Sequence, residues 1–231
     1  MNIPEIYDYL MRARRDLWAC LEGVPDEKLS EPLLAGSTLR FHCLKDLVAH
    51  VPIIEDSWVH EDFLRDTPIW EAFPWMEALG GDGPFYAGVP LADLLEYWRA
   101  VEESTLKYLP TLTGPELQRQ VVLGNGRESM TLDGLVWHVL VHEMRHTAQI
   151  ALMLRMRGVT PPQLDLIAYL PADVAQSTSR ASGQSGDCVT NTLSPGSKVH
   201  VQPDAQDAAA RAGHTHPPLH RPHRKEKGRV R

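Results

Sequence analysis

The chain has 231 residues, 43% of them hydrophobic, which is enough for one domain with an apolar core. Its net charge of −7 is uneven: residues 1–172 carry 14 Lys and Arg against 25 Asp and Glu, and residues 173–231 carry 9 against 5. The acidic body argues against a nucleic-acid surface, and no apolar run approaches the ~20 residues of a membrane-spanning helix.

The cysteines and the N-terminal segment both favour a cytoplasmic location. Three cysteines at wide spacing suggest neither a disulfide framework nor a zinc ribbon. The first twenty residues mix charges into their apolar positions, so we expect no signal peptide.

Four amphipathic segments predict four long helices. In chain order they cover about residues 4–22, 39–66, 91–109 and 131–157. Pro4 suits a first helical turn, Thr131 an N-cap and Gly158 a stop. Four helices with one apolar side each predict an all-α fold, a four-helix bundle.

Two connections between these helices carry recognisable signals. The segment 67–90 is rich in Pro, Gly and aromatic residues and could either wall a substrate pocket or cap the end of the bundle. Its aromatic residues are Trp70, Phe73, Trp75, Phe85 and Tyr86. Between helices three and four, a short hairpin is expected to turn at Asn125–Gly126.

Residues 172–231 differ in composition from the rest. They contain no Ile, Met, Phe, Trp or Tyr and cannot bury enough apolar surface to offset chain entropy. We therefore predict a bundle domain over 1–171 and a disordered tail over 172–231. The histidines near the C-terminus could bind a metal or an anionic surface, could simply be solvated, or could have no selected role.

The fourth helix carries histidines where a bundle needs apolar residues. His142 and His146 are four residues apart and fall on the inward seam with Leu135, Val139 and Met153. Buried histidines need partners for both ring nitrogens, and a shared cation satisfies one nitrogen of each ring. Two hydrogen-bonded core histidines are the alternative interpretation.

The second helix offers a third ligand. His50 shares an apolar row with Leu47 and Ile54, whereas His42 lies on a more polar side and His60 lies close to the helix end. The residue pattern therefore predicts a metal site formed by His50, His142 and His146.

The segment HEMRH, residues 142–146, also fits the H-E-x-x-H pattern of zinc peptidases. A peptidase needs a third ligand downstream, yet Gln149 and Leu152 stand where the extended motif has Gly and His, and the next Glu is Glu226. Glu143 could act as a base or orient a ligand, or it could have a solvated or inter-helix polar role. His138 could lie at the rim of the site or replace a ligand.

The segments LVAHV at 47–51 and HVLVHEMRHTAQIALMLRMRGVTPPQLDLIAYL at 138–170 resemble the DinB-like (DinB/YfiT) family of metal-binding four-helix bundles. The resemblance covers about residues 1–171 and implies a divalent metal bound by His50, His142 and His146. The usual Arg-Gly-Gln run of that family is Thr147-Ala148-Gln149 here. Gln149 is kept and, with His138, is a candidate support for the ligands.

The resemblance also implies a chemistry. Relatives with known roles mostly use a low-molecular-weight thiol for transfer or isomerisation, a few are described as hydrolases, and many are dimers. We therefore expect a metal-dependent thiol S-transferase that acts on a small-molecule substrate, with zinc, nickel, iron or manganese as the metal. The alternatives are a non-catalytic metal- or ligand-binding stress protein and a metal-dependent hydrolase, including a peptidase.

Overall fold

Four long helices dominate the computed structural model, which describes residues 2–33, 41–77, 86–123 and 128–170. All of these residues belong to one compact unit, Met1–Gly183. The predicted disordered tail over 172–231 and the domain boundary before it lie outside the described residues. They therefore stay predictions.

The first long helix, α1 (Ile3–Glu22), begins at a complete capping box. The Asn2 side chain accepts from the Glu5 backbone N–H at 3.0 Å, and Glu5 Oε2 accepts from the Asn2 N–H at 2.9 Å. Two donors that a helix start leaves free are thereby satisfied, which fixes the predicted start. The short helix α2 (Asp26–Ser30) follows.

The second long helix differs from its prediction at both ends. It begins at Leu44 rather than near residue 39, because the Asp46 carboxylate accepts from the backbone N–H groups of His42 and Cys43 and sets the start there. The α-helix, α3 (Leu44–Asp56), then continues as a π-helix over Ser57–Leu64. Arg65, in the left-handed conformation with φ 57°, ends it.

The connection to the next long helix contains the 3₁₀-helix Ile69–Ala72 and the short helix α4 (Pro74–Glu77). Helix α5 (Leu91–Tyr108) then matches its prediction within a residue. The 3₁₀-helix Leu109–Thr111 and the short helix α6 (Gly114–Leu117) lead to the hairpin.

The predicted hairpin is present. Strand β1 (Gln120–Val122) pairs antiparallel with β2 (Ser129–Thr131), with Val121 opposite Met130. The proposed turn at Asn125–Gly126 lies outside the described residues.

The last long helix is α7 (Leu132–Met156), and Thr131 caps it by accepting from the Gly134 N–H, as predicted. Gly158 follows with φ 74°, a conformation that favours glycine and suits a helix stop. The 3₁₀-helix Leu166–Tyr169 ends the described chain.

The core shows the direction of each long helix. One apolar cluster contains residues from the beginnings of α1 and α7, from the π-helix that follows α3 and from the end of α5. The other cluster contains residues from the ends of α1 and α7 and from the beginnings of α3 and α5. Helices α1 and α7 therefore run in one direction and α3 and α5 in the other. The parallel pair α3 and α5 is joined by the long segment that begins after Leu64.

The apolar clusters predict which shortened side chains destabilise the bundle. Leu94 on α5 is fully buried, whereas Leu106 on the same helix is 38% exposed. We expect Leu94→Ala to lower the free energy of unfolding by about 2–5 kcal/mol, because it leaves a cavity. Leu106→Ala should change it by about 0.5 kcal/mol or less. Urea unfolding of both variants measures this, and equal losses would contradict the assignment of the core.

Candidate metal centre

Three buried imidazoles meet inside the bundle. His50 comes from α3, and His142 and His146 come from successive turns of α7; their side chains offer ligand atoms that all lie within 4.8 Å of one another. The ring centroids are 4.9 Å apart for His50 with either partner and 4.3 Å apart for His142 and His146. The three rings chosen from the sequence are therefore brought together by the fold.

Two of these nitrogens face each other directly. Nε2 of His50 lies 3.1 Å from Nε2 of His142. Two nitrogen ligands at about 2.0–2.1 Å from a tetrahedral cation stand about 3.3 Å apart. The separation is close to the one that a shared divalent ion requires, and it is also that of a hydrogen bond between two imidazoles.

The environment of His142 favours the neutral form of its ring. Burial, and then the neighbouring His146 and His50 rings, lower the pKa of His142 to about 2. His142 is thus neutral at ordinary pH, which is the form that binds metals. Nδ1 of His146 lies 2.7 Å from Oε1 of Gln149. Because a carbonyl oxygen only accepts, Nδ1 carries the proton and Nε2 keeps its lone pair.

Two further aromatic contacts border the trio. The ring of Phe41 lies 4.9 Å from that of His50 and 5.8 Å from that of His146. His138 is exposed, 6.2 Å from His142 between ring centroids, and packs against Trp58 at 5.6 Å. His138 thus lies at the rim, outside the group of three.

Glu143, which follows His142 in sequence, points to a different set of partners. Both of its carboxylate oxygens accept from Arg14, at 2.8 Å from Nε and 2.6 Å from Nη2. Burial raises the pKa of Glu143, against the opposing effect of the Arg14 charge and hydrogen bonds. These contacts favour the inter-helix polar role over that of a base; its catalytic role stays a prediction.

Arg14 is the centre of a buried polar layer that sequence reasoning missed. Its guanidinium also donates to Glu55 at 3.0 Å and to Glu102 at 3.1 Å, so that it bonds carboxylates from all three other long helices. Tyr7 donates to Glu55 at 2.8 Å. The layer separates the two apolar clusters of the core.

A sequence signal for this layer does exist. Arg14 stands four residues after Leu10 and three before Leu17, inside the apolar seam of α1. Glu102 holds the same kind of position on α5, between Trp98 and Thr105. A charged residue within the apolar seam of α1 and of α5 was the available clue.

The aromatic segment after the π-helix packs against α5. Phe73 and Trp75 make edge contacts with Tyr97 of α5, at 5.2 and 6.1 Å between centroids. Trp70 packs against the same apolar cluster. Whether the segment caps the bundle or walls a pocket stays a prediction, and Phe85 lies outside the described residues. A cavity of about 420 Å³ opens elsewhere, between α1 and α5, beside Trp18 and Arg99.

The arrangement agrees with a known family. The family model described as DinB family matches residues 1–180. The chain belongs to the DinB family. No protein of curated function matches it.

Solved structures show the same bundle. The chain is similar to a conserved protein from Enterococcus faecalis, at 17% identity and a TM-score of 0.53, covering 65% of this chain and 93% of that one. It is also similar to YfiT from Bacillus subtilis, described as "a probable metal-dependent hydrolase with an unusual four-helix bundle topology", at 16% identity, a TM-score of 0.49 and coverages of 68% and 89%. A DinB-like protein from Bacillus cereus matches at 17% identity, a TM-score of 0.43 and coverages of 65% and 89%.

The protein is an all-α four-helix bundle of the DinB/YfiT type, and three of its histidines could hold a divalent metal. In the part of the chain that the structure describes, no helix is long and apolar enough to cross a membrane.

The buried polar layer makes a prediction about stability. Arg14→Met leaves three buried carboxylates without their cation, so the free energy of unfolding should fall by about 3–5 kcal/mol. Arg15→Met is the matched control, because the Arg15 side chain is 55% exposed and bridges only Glu102. It should cost less than about 1 kcal/mol. Chemical unfolding of both variants tests this, and similar losses would mean that the layer is not held by Arg14.

Proposed function

We propose that this protein is a divalent-metal-dependent enzyme of the DinB family, with His50, His142 and His146 as the metal ligands. The observation that carries the proposal is the convergence of three buried imidazoles from two helices, with ligand atoms within 4.8 Å of one another. Three imidazole ligands leave a coordination position open, which is typical of reactive rather than structural sites. The metal is zinc, nickel, iron or manganese, all of which accept imidazole.

The chemistry is transfer of a low-molecular-weight thiol to a small electrophile. A divalent metal held by the three rings supplies Lewis acidity, which makes a thiol, or alternatively a water, nucleophilic at neutral pH. The choice of a thiol rests on the resemblance to thiol-dependent DinB-like relatives. A homodimer and a cytoplasmic location belong to the same proposal and have the same support.

The chain's own residues have separate tasks in this proposal. His142 stays neutral because of its burial and its neighbours. Gln149 fixes the tautomer of His146. Phe41 covers the His50 and His146 rings and limits the access of water on that side.

The contacts of Glu143 argue against a peptidase. In an H-E-x-x-H peptidase the Glu acts as a general base beside the metal. Here Arg14 engages both carboxylate oxygens of Glu143. The third imidazole of the group also comes from a helix upstream of the motif, rather than from the downstream ligand that such a peptidase requires.

Metal content tests the ligand set. We expect the full chain to bind about one transition metal tightly. His50→Ala and the double variant His142→Ala/His146→Ala should each lose it, whereas His138→Ala should keep it. Elemental analysis after reconstitution measures this. A second control replaces the tail histidines His214, His216, His220 and His223 together with Ala and should retain the tightly bound metal. Retention by His50→Ala would show that the ligand set is wrong.

Turnover tests the reaction class. With metal bound, we expect glutathione, bacillithiol or mycothiol to be consumed with a small electrophile such as an aryl halide, and the His142→Ala/His146→Ala variant to show only the uncatalysed rate. Loss of free thiol, followed colorimetrically, measures this. Tight metal binding without turnover of any pair would favour the non-catalytic binding protein. Cleavage of peptides would instead support the peptidase.

Gln149 provides a finer test of the same site. Gln149→Leu removes the acceptor for the His146 Nδ1–H and should weaken metal binding about 10- to 100-fold, the usual effect of losing a residue that orients a ligand. Gln149→Glu keeps an acceptor and should bind at least as tightly as the parent. Competition with a metal-binding dye measures both affinities. Equal affinities of the Leu variant and the parent would show that Gln149 does not position His146.

A further inference from the structure

A second hydrogen-bonded group adjoins the buried polar layer, since Asp56 directly follows Glu55 on α3. Nε2 of His60 is 2.8 Å from Oγ of Ser104, and Nδ1 of the same ring is 2.7 Å from Oδ1 of Asp56. Serine, histidine and aspartate are thus joined in series through the two nitrogens of one imidazole. The residue pattern places His60 near a helix end, and in the structure its side chain is buried.

The Asp56 carboxylate is held on all sides. Tyr97 Oη donates to its Oδ2 at 2.8 Å, and the backbone N–H groups of Ile69 and Trp70 each donate at 3.0 Å. Burial and the nearby Asp56 charge raise the pKa of Tyr97, so its hydroxyl stays protonated and donates. Asp56 itself is fully buried. Its oxygens therefore act as acceptors in a fixed orientation.

This surrounding structure determines the tautomer of His60. Because Asp56 accepts, the proton of a neutral His60 ring lies on Nδ1, and Nε2 of that tautomer presents a lone pair. The hydroxyl of Ser104 is then the donor in the Ser104–His60 hydrogen bond. A hydroxyl that donates to an imidazole oriented by a buried carboxylate is the arrangement of an activated serine nucleophile.

Asp56, His60 and Ser104 are arranged in order from the core toward the surface. Asp56 and His60 are one turn apart, on the α3 and π-helical segment, and face Tyr97 and Ser104 of α5. Exposure increases along the series, from the fully buried Asp56 through the 4% exposed His60 to the half-buried Ser104. The hydroxyl is the end of the series nearest to solvent. The π-helix that carries His60 is itself a rare element, found frequently at functional sites.

We propose that Ser104, His60 and Asp56 form a metal-independent nucleophilic site that accepts acyl groups from small activated esters. In the step, the Ser104 oxygen forms a bond to the acyl carbon while its proton passes to Nε2 of His60. The bond from the acyl carbon to the leaving oxygen then breaks, and His60 returns the proton to the departing alcohol or phenol. Water, deprotonated by the same ring, releases the acid and restores Ser104. Asp56 is a positioning residue throughout.

The expected rate is modest. Ser104 lies within α5, where its backbone N–H belongs to the helical hydrogen-bond pattern and is not free to stabilise an oxyanion. A positioned general base alone contributes about 10²- to 10⁴-fold. We therefore expect acylation of Ser104 about 100-fold faster than that of an ordinary serine, followed by slow release.

The experiment uses the full chain, stripped of metal with EDTA, and p-nitrophenyl acetate. The expected result is a burst of nitrophenolate of about one equivalent per chain and an acetyl group on Ser104 in peptide mass spectra. Ser104→Ala should abolish both, and Asp56→Asn should slow the burst. Ser57→Ala is the matched control, because Ser57 bonds to Glu61 rather than to a histidine. It should behave as the parent does.

Two further variants separate this site from the metal centre and from simple loss of folding. His142→Ala/His146→Ala should keep the burst, since those rings belong to the other site. Ser104→Cys keeps a nucleophile of similar size and should restore acylation, which a merely structural role of the serine would not predict. An unchanged burst in Ser104→Ala, acetylation elsewhere in the chain, or a burst that appears only with added metal would each overturn the proposal. In these cases the Ser104–His60–Asp56 hydrogen bonds would only tie the π-helix to α5.

Discussion

The buried guanidinium of Arg14 is the interaction on which the assembly of the bundle depends. It comes from α1 and bonds carboxylates of α3, α5 and α7, so its hydrogen bonds are complete only when all four long helices are in place. A buried charge without its partners costs several kcal/mol, so a bundle with a displaced helix is penalised strongly. Apolar seams alone would tolerate such displacements much better.

Arg14 also constrains the positions of the histidines, because two of its carboxylate partners lie close to them in the chain. Glu143 immediately follows His142 on α7, and Glu55 lies five residues after His50 on α3. When Arg14 fixes the height and rotation of both carboxylates, it also fixes which of the nearby rings on α3 and α7 face each other. The 3.1 Å separation of the His50 and His142 nitrogens therefore depends partly on a charge network that contains no metal ligand. Glu143 belongs to this network rather than to the group of histidines.

Two groups of side chains adjoin the polar layer and carry different chemistry. In one group three imidazoles converge, which suits a cation. In the other group one imidazole is bonded to a carboxylate and a hydroxyl, which suits proton transfer. Their partners cause the difference: His146 meets a neutral amide and other imidazoles, whereas His60 meets the fully buried Asp56. The same residue type thus has two distinct environments within one small domain.

The sequence by itself determined the long helices, because hydrophobic periodicity and end signals are local: Pro4, Thr131 and Gly158 mark ends that the structure reproduces. It also selected His50, His142 and His146, because polar residues at seam positions of two helices must share an interior. Only the tertiary structure decided that α1 and α7 run opposite to α3 and α5, since parallel and antiparallel packing use the same apolar seams. It alone brought Arg14 to Glu143 and His60 to Ser104, because these partners lie on different helices and no local pattern records which seams face each other. The shift of α3 into a π-helix after Asp56 likewise had no counterpart in the spacing of residues 39–66.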